Sequence, residues 1–401
     1  MLKSLWTDLI DGPFIWLLLI LTAVLTSSLI VRYIPAVKNS INNIENNRKV
    51  SIDGLRGFLG VSVFVHHTVV MWFFLQNGQW SPPPSRFIVH AGQTSVALFF
   101  MITSFLFWQR VIDLREKIDW ASFIFARVFR LYPVYLFTLM LIVFFSFITA
   151  NIKGYSGPVL MPLLEWITML RAPDLNGVPN TSLMIAGVTW TLSYEWLFYL
   201  CLPMLGFLTA FSQQPLIATL SALAVVILLY IHNFSYVRLI PFIGGIAAAH
   251  YVKQASLVKA ANSRVAAIVA VGALSIVVIF SPTAYDWKPV IGLTIFFTIV
   301  ASGNDLWGVL RRPSLIWLGD ITYSIYLLHG LFLWVVFNLW WPGIRDNGAY
   351  FIVATVLLDI IIVFCTTVTF LKIERQGIQT GRRTYQRILR MLGQTDPITH
   401  K

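Results

Sequence analysis

The chain has 401 residues, 57% of them apolar and only 11% charged, where a soluble chain carries about a quarter charged positions. A soluble globular domain is excluded, and a polytopic membrane protein is expected. The excess of 29 Lys+Arg over 17 Asp+Glu does not point to nucleic acid, because the basic residues cluster in short loops between apolar spans, as the positive-inside rule describes. Cys201 and Cys365 both fall inside apolar stretches, so neither a disulfide framework nor a metal site is expected.

The first apolar stretch, 14–33, is long enough to cross a bilayer. Asp8 and Asp11 lie where a signal peptide would be basic, and no clean small-residue cleavage site follows, so it reads as a retained anchor. Further spans are expected at 54–76, 93–110, 132–150, 188–208, 215–231, 236–252, 264–281, 289–303, 319–340 and 350–371. With the first, that makes about eleven. The fold class is therefore all-α, a polytopic transmembrane helix bundle. Three regions are expected: an extra N-terminal helix and linker (1–49), a membrane domain (50–371) and a basic cytoplasmic tail (372–401). With the N-terminus outside and the C-terminus inside, 22 of the 29 basic residues lie on the cytoplasmic side, Arg48 and the tail among them. Membrane lipids are the expected surroundings of that tail.

The stretch 51–72, SIDGLRGFLGVSVFVHHTVVMW, reads as a spanning helix that carries Arg56 at one end and His66–His67 near its middle. Ionisable groups inside a spanning helix are costly, so they face the bundle interior and mark a functional path. Arg56 and His67 are eleven residues apart, which returns to within about 20° of the same face and separates them by roughly 16 Å. His66 points elsewhere and reads as a packing neighbour.

SVALFFMITSFLFW at 95–108 leads to ARVFRLYPVY at 126–135, where Arg127 and Arg130 sit side by side at i, i+3. They are either snorkelling arginines at a helix end or, with Arg56 at the same level, a cradle for phosphate. VTWTLSYEWLFYLCL at 188–202 places Glu195 in an aromatic, apolar span, where an unpaired carboxylate is expensive. Trp190 and Tyr194 flank it, as interfacial belt residues or substrate contacts. His329 in SIYLLHG and Asp359 in LLDIII raise the same question, and Gly244-Gly245 suggests close helix packing.

These pieces, DGLRG with His67 beyond it, LFFMITSFL, RVFRLYP, WTLSYEWLFY and GDITYSIYLLHG, occur in the order found in the acyltransferase-3 family, which the chain resembles from about residue 50 to 371. The resemblance implies a ten-span core, so that 14–33 is an added helix, and transfer of an acyl group, often acetyl from acetyl-CoA, to carbohydrate or other small acceptors. It implies that Arg56 and His67 form the family's arginine–histidine pair, that Arg127 and Arg130 are its paired arginines, and that Glu195 is its acidic residue. The chain departs from the family's D-L-F-F-x-x-S-G-F pattern at Ala97 and at Thr103-Ser104.

The expected chemistry uses neutral His67 as general base, with Glu195 orienting acceptor or imidazole. Arg127 and Arg130 would hold the CoA phosphates, while Trp190, Tyr194 and His329 are the candidate substrate contacts. The expected setting is a bacterial inner membrane, with acyl-CoA as the cytoplasmic donor substrate and a surface or secreted polysaccharide as acceptor. A proton-coupled transporter of a lipid-linked glycan or anion is the alternative. Composition alone favours transport, and the ordered motifs favour the enzyme.

Overall fold

The computed structural model describes residues 2–43 and 49–391, with side chains from residue 5; Arg48 and the end of the tail, 392–401, lie outside the described residues. The helices are α1 (Leu2–Ile10), α2 (Pro13–Tyr33), α3 (Pro35–Asn42), α4 (Val50–Asn77), α5 (Arg86–Leu114), α6 (Trp120–Lys153), α7 (Leu160–Ile167), α8 (Thr189–Leu208) and α9 (Pro215–Ile231). They continue with α10 (Ile240–Tyr251), α11 (Ala255–Ala261), α12 (Arg264–Phe280), α13 (Trp287–Ala301), α14 (Pro313–Asp320), α15 (Thr322–Leu333), α16 (Gly348–Thr369) and α17 (Arg375–Met391). No β-sheet occurs among the described residues. The protein is a polytopic all-α bundle. Seven helices are long and apolar enough to span a bilayer, and the pair α11–α12, bent by 75°, makes an eighth if counted as one span. The apolar α9 and α13 are shorter.

The bundle is organised around α4. Of its most apolar window 72% is buried, against 33% for α2, which lies at the periphery. Glycines explain how neighbours come so close to α4. A Cβ on Gly54 would stand 1.9 Å from Leu310 O, and one on Gly57 would stand 2.2 Å from Leu315 O. Gly319 reciprocates, since its Cβ would meet Asp53 O at 2.0 Å. Small residues at three-residue spacing thus let α14 and the turn before it lie backbone to backbone against α4, the close approach typical of membrane helices. Gly244 and Gly245 do the same for α10 on α5, where a Cβ at 245 would meet Met101 O at 2.1 Å.

Side-chain contacts sort the loops into two ends. At one, Gln214 Nε2 donates to Ile118 O (3.1 Å), Lys253 pairs with Asp113, and the Tyr385 hydroxyl of α17 donates to Asp119. The tail helix α17 follows α16 through a π-helical turn, Phe370–Glu374, and lies along α6 with Gly377 against Pro133 and Gly381 against Phe129. At the other end, Ser85 N donates to Asp11 (2.9 Å), His90 Nε2 donates to Ser281 O (2.8 Å), and Gln76 Nε2 donates to Arg345 O (2.5 Å). The loop between α6 and α8 folds inward there. The Tyr135 hydroxyl donates to Trp166 O (2.6 Å), and a Cβ on Gly330 would stand 2.4 Å from the Ile185 carbonyl carbon.

Candidate active site

Five helices, α4, α5, α6, α8 and α15, meet around a cavity of about 160 Å³, with apolar side chains such as Phe99, Phe100 and Phe107 of α5 along one wall. Helix α4 contributes Arg56, α6 contributes Arg127 and Arg130, α8 contributes Glu195 and Tyr199, and α15 contributes Tyr326. The three arginines expected at one membrane level therefore converge on one space. Each is held by carboxylate or aromatic neighbours. Arg56 Nη1 lies 3.7 Å from Asp53 Oδ1, one turn earlier on α4. The Arg127 guanidinium sits 4.7 Å from the centroid of the Phe107 ring, an attractive cation–π arrangement, and beside the Tyr199 hydroxyl. Tyr199 donates to Glu195, its i−4 neighbour on α8. The Arg127 Nε is buried and has no hydrogen-bond partner, so the cavity wall holds a spare cationic donor. A buried donor left unsatisfied is costly unless a ligand supplies the acceptor.

His67 does not line this cavity. It meets His329 of α15, with His329 Nε2 and His67 Nδ1 2.9 Å apart and the two rings nearly parallel. The hydrogen bonds fix both tautomers. His329 Nδ1 lies 2.9 Å from Ile325 O, and a carbonyl can only accept, so Nδ1 carries the proton. A neutral His329 then has its lone pair on Nε2, which must accept from His67 Nδ1–H. His67 is left with an unprotonated Nε2. A neutral imidazole in that tautomer is a base, oriented by the bond on its other nitrogen.

Tyr326 borders both places. It lines the cavity, and its ring lies 6.3 Å from the His329 ring. Its hydroxyl is 2.6 Å from Thr191 Oγ1 and donates to Val188 O (3.2 Å). Tyr323, Tyr326 and His329 recur every three residues along α15, so one face of that helix runs from the arginine cavity to the histidine pair.

The other residues singled out in the sequence lie elsewhere. His66 faces α5, donating from Nδ1 to Ile88 O (2.9 Å) and packing on Gly92. Trp190 stacks under the Arg238 guanidinium at 4.4 Å, outside the cavity wall. Tyr194 is buried, and its hydroxyl accepts from Ser235 N at 2.7 Å, which pins the α9–α10 connection to α8. Asp359 is buried in α16, with Oδ2 unpartnered, and is absent from the cavity wall.

Two contributors were not among the expected site residues. Tyr199 lies i+4 from the expected Glu195 inside WTLSYEWLFY, and that spacing is the available signal. Glu374 falls within 372–401, the stretch expected to form the basic cytoplasmic tail. Instead it is fully buried on the π-helical turn, accepts from Ser324 Oγ (3.0 Å), and has its other oxygen unpartnered. Its field reaches Arg130 and Arg56. A lone acid just beyond an apolar span gave no hint of burial.

The fold and this polar centre define an integral-membrane protein whose buried polar centre gathers arginines at one end and a hydrogen-bonded pair of imidazoles at the other. The family model described as an acyltransferase domain matches residues 49–371, and the chain belongs to this acyltransferase-3 family. It is a membrane acyltransferase. Comparison with curated proteins and with solved structures found no match.

Proposed function

We propose that the protein transfers an acyl group, acetyl foremost, from cytoplasmic acyl-CoA to a hydroxyl of a carbohydrate acceptor outside a bacterial inner membrane. The observation that carries this reading is the hydrogen-bonded pair in which His329 leaves His67 Nε2 free as a base. The acceptor hydroxyl gives its proton to that nitrogen while its oxygen attacks the thioester carbonyl. Collapse of the tetrahedral intermediate breaks the carbon–sulfur bond, and the imidazolium returns the proton to the departing thiolate.

The arginine cavity takes the donor in this reading. Guanidinium groups bind phosphate oxygens in two-pronged fashion, and Arg127 already has an unsatisfied donor. Glu195, fixed by Tyr199 beside Arg127, orients the donor site rather than the imidazole, and Glu374 balances Arg130 and Arg56. The end bearing α17 and the Lys253–Asp113 pair is the cytoplasmic one, with both charge grouping and the donor's origin in its favour. The acyl-bearing arm would then pass Tyr326 to reach His67.

The test is release of free CoA thiol by the purified, reconstituted protein from acetyl-CoA, with and without candidate glycans. Glycan-dependent thiol release with acetyl ester on the glycan is expected. Glycan or anion movement across the liposome membrane without thioester cleavage would replace this reading with transport.

A further inference from the structure

We propose that Trp80 is the platform on which the acceptor rests, and that the acceptor is a pyranose-type sugar. This extends the reading of His67 as the general base. Trp80 lies outside every helix, in the connection between α4 and α5, yet its ring stacks on that of His67, with centroids 6.3 Å apart and planes within 19°. Phe74 meets the Trp80 ring edge-on at 5.6 Å. Phe74 in turn lies 6.1 Å from Trp334, whose indole N–H is buried and has no hydrogen-bond partner. These rings form an aromatic wall beside the catalytic imidazole, with one free donor in it.

The connection is built to hold that ring still. Gly78 closes α4 in the left-handed region, at φ +74°. Asn77 Oδ1 accepts from Gln79 N (2.8 Å), just before Trp80. Pro82, Pro83 and Pro84 follow, each with φ fixed by its own ring. Ser85 N is then tied to Asp11 (2.9 Å). A stiff loop that presents a half-buried indole to a base loses little entropy when a ligand settles on it.

The chemistry of the ligand follows from the wall. The face of an indole carries negative quadrupole density and attracts groups with partial positive charge. A pyranose ring presents a flat face of polarised C–H groups and an equatorial rim of hydroxyls. Laid on Trp80, it can turn one hydroxyl to His67 Nε2. A linear polyol has the hydroxyls but not the flat face.

The experiment uses the full-length protein in nanodiscs, acetyl-CoA as donor, and a panel of methyl pyranosides with their open-chain alditols as acceptors. At least one pyranoside is expected to be acetylated with kcat/KM at least tenfold above its alditol. Trp80→Ala should raise that pyranoside's KM about tenfold while leaving the acetyl-CoA KM within twofold, and Trp80→Phe should recover most of the loss. Matched thermal melts and elution profiles ensure that the variants compared are folded. Turnover of alditols as good as that of pyranosides, or of no pyranoside at all, overturns the sugar assignment. An unchanged pyranoside KM in folded Trp80→Ala, or an equal rise in both KM values, overturns the platform. If His67→Ala retains full turnover, the reading of the base falls instead, whatever Trp80 does.

Discussion

The arginine end and the histidine end of the site are joined by one helix, α4, whose Arg56 and His67 are roughly 16 Å apart, and they are built on opposite principles. At the arginine end, Arg56, Arg127 and Arg130 are surrounded by Asp53, Glu195, Glu374 and tyrosine hydroxyls, around an open cavity. At the histidine end there is no carboxylate in the described contacts of His67; its neighbours are imidazole and indole rings. The guanidinium groups are kept among counter-ions, because an unpaired guanidinium in a low-dielectric interior is costly. His67, the proposed base, is kept among neutral rings. An acidic neighbour would favour the imidazolium, which has no lone pair to offer.

The largest expected effect tests whether the chemistry resides at the histidine end. His67→Ala should reduce kcat by about 10²–10⁴-fold, the range for loss of a positioned general base. His66→Ala should retain most activity. It loses one hydrogen bond to Ile88 O, which contributes about 1 kcal/mol to stability rather than to turnover. Turnover numbers measured at equal folded abundance decide this, and the reverse pattern would move the base to the face packed on α5.

A moderate effect is expected at the arginine end. Arg127→Gln or Arg130→Gln should raise the acyl-CoA KM about tenfold, corresponding to about 1.4 kcal/mol, with little change in acceptor KM. Lys at either position should recover part of that loss, because an ammonium lacks the planar fork. Initial rates over a matrix of donor and acceptor concentrations separate the two constants. Equal changes in both would mean that the two ends do not divide donor from acceptor.

The smallest effect concerns the anchor of the Trp80 loop. Asp11 lies between α1 and α2, outside the spans, and burial pushes its carboxyl up to about 6, partly offset by the hydrogen bond from Ser85 N. The folded state thus holds the proton more tightly than the unfolded state, whose value is 3.8. Its contribution to stability is full below that lower value and is lost as pH rises through about 6. With the group only partly buried and screened, the loss is on the order of 1 kcal/mol. Thermal melts between pH 4 and 7 should show this slope in the wild type, and Asp11→Asn should flatten it. An unaltered slope would place the titration elsewhere.

The sequence alone determined the class and the outline of the site. Composition required a membrane bundle, and apolar runs of near bilayer length located its helices, since hydrocarbon leaves the backbone few alternatives to a helix. The eleven-residue interval put Arg56 and His67 on one face of one helix, because helical periodicity is a local property. Only the tertiary structure decided what those residues meet. His329 lies 262 positions from His67, so no local pattern could show that the two imidazoles are hydrogen-bonded. Gly57 and Gly319 carry no local signal of their role, which exists only because α14 lies on α4. Glu374 falls within the stretch expected as a basic tail, and burial against Ser324 makes it part of the arginine end. Trp80 sits in a proline-rich loop with no periodicity, so nothing in the sequence shows that its ring stacks on that of His67. Periodicity is written along the chain, whereas partners across the bundle are set by helix packing, which depends on all the helices at once.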